Sequence, residues 1–387
     1  SWGDKTLRRF DPEGFFNTGS NVNNSLTFST GTQKHQTYFS AATTNARNIL
    51  PNSGYNRYNF TFRDVTKFLK DKLTVDLSAS YILQDNKNMI AAGKYFNPLP
   101  ALYLFPRGDD FDNVRLYQRW DESRNLYTQA WDYGSGDMSF QNPYWIMNKM
   151  INQTKKRRYM LSANLKYDVT DWLDVTGRVK VDNADMDITE KRYAGTDTNF
   201  AGEKGMYSII KRNDRQIYAD AIANIDLTFA GDYHLSANVG ASLKDVRMDF
   251  MGWGGDLRKI PNFFSITNIS TTNYKEREDG SHIQSQSIFA NVELAWKSML
   301  YLTVTGRNDW ESALAFSKYK SCLLYTSPSP RDSRLLEIQV VLLSFGRTFG
   351  RRFRDGRYAG MVLLPQGAWF LFGRRLFLCG LLDQTLL

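Results

Sequence analysis

The side chains with the most chemical potential are three histidines, an acidic cluster, a glycine cluster and a set of aromatics. His35, His234 and His282 lie far apart, and residues 1–321 hold no cysteine. Zinc sites and activated nucleophiles need close partners, so each histidine reads as an ordinary strand or loop residue. Asp109, Asp110, Asp112 and Asn113 offer the oxygen ligands that hard cations take. Their spacing matches no recognised calcium loop, and a solvated turn is the simpler reading. Gly252, Gly254 and Gly255 do not read as a phosphate loop, because no helix follows them. No catalytic set, cofactor motif or metal site emerges, and the chain reads as a non-enzyme. The aromatics remain: residues 84–155 carry Tyr95, Phe96, Tyr103, Trp120, Trp131, Tyr133 and Trp145. Aromatic faces stack on sugar rings and pack on peptides, and binding groups concentrate on loops. Trp120, Trp131, Tyr133 and Trp145 are therefore the substrate-contact candidates. The competing reading gives each of these rings a packing role inside its own loop.

The elements that must position this loop announce themselves by period-2 alternation. Leu161, Ala163, Leu165, Tyr167 and Val169 alternate with Ser162, Asn164, Lys166 and Asp168. Leu173, Val175, Gly177, Val179 and Val181 alternate with Asp174, Thr176, Arg178, Lys180 and Asp182. The runs 219–229 and 235–243 repeat the pattern. Successive side chains on a strand point to opposite faces, so each run has one apolar and one polar face. About ten strands are expected: 25–31, 36–45, 55–65, 73–83, 156–168, 172–184, 207–229, 233–247, 283–296 and 299–311. Their connections alternate short and long, the long ones covering 46–54, 84–155, 185–206 and 248–282. Phe68, Trp172, Tyr233, Trp296 and Tyr301 gather at the short turns, as a membrane-interface girdle does. The fold class is all-β: a partial antiparallel transmembrane barrel, about ten strands of a larger one, with long loops outside. Lipid cannot satisfy backbone hydrogen bonds, so such strands must pair fully and turn their apolar face outward. Asp174, Arg178, Lys180 and Asp182 would then point inward. The rival is a soluble β-rich carbohydrate-binding or adhesin-like module, which would need a second sheet over its apolar face.

Composition agrees. Hydrophobic residues are 42% and aromatics 14%, which suits short strands with one wet face. The longest apolar run, Ala359 to Gly373, is too short for a spanning helix and is broken by Pro365. The chain opens on Ser1-Trp2-Gly3-Asp4-Lys5 rather than on a basic and then apolar stretch, so an exported parent is expected to carry its leader upstream. The net charge is +9, of which residues 322–387 supply nine Arg against four acids. The remainder is scattered, without the basic stripe and stacking aromatics of a nucleic-acid binder. No nucleic-acid partner is expected.

A break falls near residue 321. Residues 322–387 contain no Lys, Asn or His, hold both cysteines (Cys322 and Cys379), and are dominated by Leu and Arg. Residues 322–332 resemble a translated transposon-end sequencing adapter; the plainer alternative is a Pro/Ser linker before a small second domain. The expected division is therefore 1–321, a partial receptor barrel, and 322–387, an adapter-derived or chimeric tail outside the fold.

Within residues 1–316, ordered words resemble the SusC/RagA-type TonB-dependent outer-membrane transporters. They are Ser1-Trp2-Gly3, Phe15-Phe16-Asn17-Thr18-Gly19, Tyr38-Phe39-Ser40, Pro51-Asn52-Ser53, Arg57-Tyr58-Asn59, Asn142-Pro143-Tyr144-Trp145, Asp171-Trp172-Leu173, Pro261-Asn262-Phe263-Phe264-Ser265-Ile266-Thr267-Asn268, and the strand Leu300 to Trp310. The resemblance implies a multi-pass barrel in outer-membrane lipid that imports glycans or peptides. It also implies a SusD-type surface lipoprotein as partner, and a TonB-ExbB-ExbD complex acting through a plug. Plug and later strands are not matched by these residues.

Overall fold

The computed structural model describes residues 8–91, 93, 95–133, 140–314, 321–322 and 335–342. Alternating sequence becomes paired strand throughout. The strands are β1 (Ser20–Gly31), β2 (His35–Arg47), β3 (Gly54–Phe68), β4 (Leu73–Lys87), β5 (Gln118–Asp121), β6 (Leu126–Gln129), β7 (Met150–Thr170), β8 (Leu173–Tyr193), β9 (Gly205–Phe229), β10 (Tyr233–Leu257), β11 (Ile269–Trp296), β12 (Leu300–Glu311), β13 (Ser321–Cys322) and β14 (Leu335–Leu342). One large sheet has the order β1-β2-β3-β4-β7-β8-β9-β10-β11-β12-β13, with β14 also on β12, while β5 and β6 form a separate hairpin. All ten expected strands are present.

The registers place the apolar residues in rows. Phe28 pairs with Phe39, Phe39 with Phe62 and Phe62 with Ala79. At the other end of the order, Val292 faces Val304, Leu294 faces Leu302 and Trp296 faces Leu300. These rows are open: Phe28 is 59% exposed, Val179 47% and Ile288 55%. Among the described residues no second sheet covers them, and the buried core lies in the connections instead. A soluble sandwich would bury this face between two sheets; a barrel strand leaves it for lipid.

The opposite face is a hydrogen-bonded polar lattice. Arg63 grips Asp76 in two-pronged fashion at 2.9 and 2.8 Å. Ser78 and Ser162 meet at 2.8 Å, and Arg158 donates to Asp182 at 2.7 Å. Farther along, Asn224 donates to Asp174 at 2.7 Å and itself accepts from Asn238 at 2.9 Å. Asp174 and Asp182 thus lie among polar partners, as expected of them.

The short turns are tight because successive residues adopt positive φ. Ala230 and Gly231 have φ of 50° and 69°, and Lys297 and Ser298 have 50° and 54°. Two successive left-handed residues make the turn whose twist suits a hairpin. Phe68, Trp172, Tyr233 and Trp296 are half-exposed at these turns. Tyr301 departs from the expected girdle. It pairs with Ala295, whereas Trp296 pairs with Leu300, so strand alternation puts Tyr301 on the polar face.

Two expected long loops are shorter than the sequence suggests. Strand β8 runs to Tyr193, β10 to Leu257, and β11 starts at Ile269. Half of the expected loop 185–206 and most of 248–282 are paired strand. A strand needs about 9–11 residues to cross a bilayer, while β9 and β10 have 25 each and β11 has 28. The extra length lacks apolar alternation because nothing apolar has to cover it. The connection 88–149 is a folded unit with two short helices, α1 (Pro98–Tyr103) and α2 (Pro143–Lys149), beside the β5–β6 hairpin.

By backbone packing the chain forms two compact units. One comprises Ser1–Lys166, Gly177–Ala219 and Leu243–Gln284; it contains the connection 88–149 and the main hydrophobic cluster. The other comprises Tyr167–Thr176, Asp220–Ser242 and Ser285–Leu387. It holds three of the short turns. The tail meets the sheet through β14, whose Leu342 pairs with Leu300 and Leu335 with Arg307. A strand edge is a template for any chain with strand propensity, and β14 takes up the outer edge of β12. Ser1-Trp2-Gly3 and the adapter-like residues 323–332 lie outside the described residues.

Candidate functional site

Residues 88–149 hold the four candidate rings, and asparagine–proline pairs set up their positions. Pro143 opens α2, where its missing N–H costs nothing. Asn142 caps the helix, its Oδ1 accepting from Tyr144 N at 2.8 Å and Trp145 N at 3.3 Å. Its Nδ2 donates to Val114 O at 2.8 Å, tying α2 to the short turn Phe111–Arg115. Asn97 caps α1 likewise, accepting from Leu99 N at 3.0 Å. Asn52 and Asn88 both donate to Met147 O at 2.9 Å, fixing α2 to the ends of the sheet strands. These asparagines were not singled out as site residues by type alone. For Asn97 and Asn142 the readable signal is Asn directly before Pro, a helix-start pattern; Asn52 and Asn88 carry no such mark.

The cap decides the fate of Trp145. Its ring is fully buried, and its Nε1 donates to Thr196 Oγ1 at 3.0 Å. It belongs to one buried cluster with Phe15, Leu102, Phe105, Ile146 and Met150. In this structure Trp145 has a packing role and presents no face to a ligand. Trp131 and Tyr133 are half-buried against the same cluster, with ring centroids 5.0 Å apart and Phe105 4.7 Å from Tyr133. Burial pushes the Tyr133 phenol up, with Asp109 adding to the shift. Burial pulls the Lys149 ammonium down, at the end of α2, although the Tyr193 ring lies 4.9 Å from its Nζ.

Trp120 differs. It is 49% exposed and packs edge-on against Tyr127, 52% exposed, at 5.1 Å across the β5–β6 hairpin. The hairpin is held in place from outside. Arg124 donates to Glu203 O, and a Cβ on Gly195, at φ +93°, would lie 2.6 Å from Thr128 Cα. The site therefore divides the candidates: one exposed aromatic pair on a braced hairpin, and three rings at or near the core. Tyr127 was not singled out earlier; its placement opposite Trp120 needs the hairpin register.

The other chemical candidates resolve into local pairing. Asp110 caps the turn Phe111–Arg115, accepting from Asp112 N at 3.0 Å, and Arg8 lies 3.8 Å away. His35 and Asp64 are 2.7 Å apart, as are His282 and Asp245, while His234 and Asp226 are 3.8 Å apart. Among the described residues no three His, Cys, Asp or Glu converge as metal ligands. Gly252, Gly254 and Gly255 lie within β10. No helix among the described residues is long and apolar enough to cross a membrane, which says nothing of strands.

No protein-family profile matches the sequence, and no curated protein matches it. Solved structures do. The RagAB peptide transporter aligns over 78% of this chain at a TM-score of 0.64 and 14% identity. The closed-closed state of the RagAB peptide importer aligns over 83% at 0.66, and the open-open state over 93% at 0.65. The chain spans 33 to 40% of the length of those proteins. At this identity the likeness establishes the fold: an antiparallel sheet forming part of a large β-barrel.

Proposed function

We propose that this chain is part of the barrel of a TonB-dependent outer-membrane transporter, which imports oligosaccharides or peptides together with a SusD-type surface lipoprotein. The observation that carries this reading is the uncovered apolar face. It recurs on strands from β1 to β12, backed by a continuous polar lattice, and only a lipid surround makes that arrangement stable. The fold shared with a peptide importer supports the transport role. The strand lengths past the apolar rows would stand above the outer leaflet and carry the folded connection 88–149. In that setting Trp120 and Tyr127 are the contacts offered to a glycan or peptide, with Trp131, Tyr133 and Trp145 holding the loop that presents them. TonB would act through a plug contributed by the parent outside residues 1–321, and residues 322–387 take no part in transport. The chain performs no covalent chemistry in this account.

The test is substitution on the two faces in the complete parent. Val239→Arg places a charge in lipid at about 2–4 kcal/mol near the midplane and should block membrane insertion, whereas Val175→Arg, close to Trp172 at the girdle, should cost only about 0–1 kcal/mol. Arg178→Ser, on the opposite face, should insert normally. Equal insertion of all three contradicts the barrel.

A further inference from the structure

A small cavity lies beneath α2, between the end of β4 and the adjoining ends of β7 and β8. It has a volume of about 140 Å³ and is lined chiefly by Met89, Ile90, Pro98, Ile146, Met147 and Met150. Its polar edge is formed by Asn152, Glu190 and Arg192. By strand alternation these share a face with Arg158 and Asp182, the polar face of the sheet. Resting on the transporter reading above, we propose that this cavity receives one aliphatic or thioether side chain of a peptide being imported.

The argument is chemical. A sugar presents hydroxyls all round and needs polar groups to meet them, and here Asn88 and Arg192 are already engaged within the chain. Asn88 donates to Asn52 O at 3.0 Å and Met147 O at 2.9 Å, and accepts from Asn152 N at 2.9 Å. Arg192 donates to Glu190 at 3.1 Å and to Phe200 O at 2.8 Å, and its guanidinium lies 4.6 Å from the centre of the Phe96 ring. The larger part of the lining is apolar, from thioether, aliphatic and Phe96 carbons. An apolar void of about 150 Å³ stays dry and takes up a small apolar guest. Three methionines make the wall adaptable, since their unbranched chains reshape to fit different guests. The mouth is apolar as well: Met89 is 50% exposed and Ile90 53%. A guest side chain would take part of this exposed apolar surface out of water. A leucine or methionine side chain suits the volume; a tryptophan does not.

The experiment uses the chain refolded in detergent micelles, which cover its apolar face, with methionine methyls carbon-13 labelled. N-acetyl-leucinamide, N-acetyl-glycinamide and methyl glucoside are titrated separately. The leucine probe should shift the Met89, Met147 and Met150 methyl signals saturably, and the other two probes should not. Met89→Asp and Ile90→Asp change exposed residues and should leave the starting Met147 signal in place while weakening the leucine probe about tenfold. No saturable shift, an equal response to the glucoside, or an undiminished response in both variants overturns the inference. The barrel reading stands or falls on insertion of Val239→Arg instead, so the two failures are told apart.

Discussion

Trp120 and Trp145 look alike in the sequence, two tryptophans in one aromatic-rich stretch, and the fold gives them opposite roles. Trp145→Ala removes a fully buried ring and leaves Thr196 without its donor; a loss of about 3–5 kcal/mol is expected. Thermal unfolding of the connection 88–149 should show it. Trp120→Ala should leave that unfolding unchanged within about 0.5 kcal/mol and reduce glycan or peptide uptake by the parent. Unchanged uptake would remove Trp120 from the contact surface. Lys149 supplies a pH signature. Burial lowers its pKa from the ordinary 10.5, so the unfolded chain holds that proton to higher pH than the folded one. Stability should therefore rise with pH through the window between the two values, and Lys149→Met should flatten that rise. The rings were legible as a set, but not individually. What separates them is the Asn142-Pro143 helix start and the register that sets Tyr127 opposite Trp120, and only the first leaves a mark in the sequence.

Strand positions were legible wherever lipid imposes alternation and illegible beyond it. The period-2 pattern of β10 fades after Leu243, yet its backbone pairing continues to Leu257. Backbone hydrogen bonds do not require apolar side chains, so the upper strands carry charged residues such as Asp249, Arg277 and Glu278 with no periodic signal. Limited proteolysis should separate the two views. Cleavage between β10 and β11 is expected within 258–268, whereas a loop spanning 248–282 would be cut throughout. Turn chemistry was also partly hidden. Ala230 at φ 50° is not a residue type that announces a left-handed turn. Ala230→Val places a β-branched side chain there, where such residues are steric outliers, and should lower the unfolding midpoint in detergent.

At the scale of the molecule, the sheet is a run of hairpins with an open apolar side. Among the described residues β1 has β2 as its one neighbour, and β12 is met on its outer side by β13 and β14. Without detergent, bare faces and an exposed edge should drive the chain to aggregate; a monomeric, soluble, well-folded product would contradict the barrel. The central claim is that the apolar rows face lipid and the lattice faces water. It is tested most directly by spin labels at single cysteines in the complete parent in bilayers, with any native cysteines replaced. Labels at Leu161, Val175, Val239 and Ile288 should be reached by oxygen and shielded from a water-soluble nickel chelate. Labels at Arg158, Arg178 and Asn238 should show the reverse. The same accessibility for both sets would contradict the account.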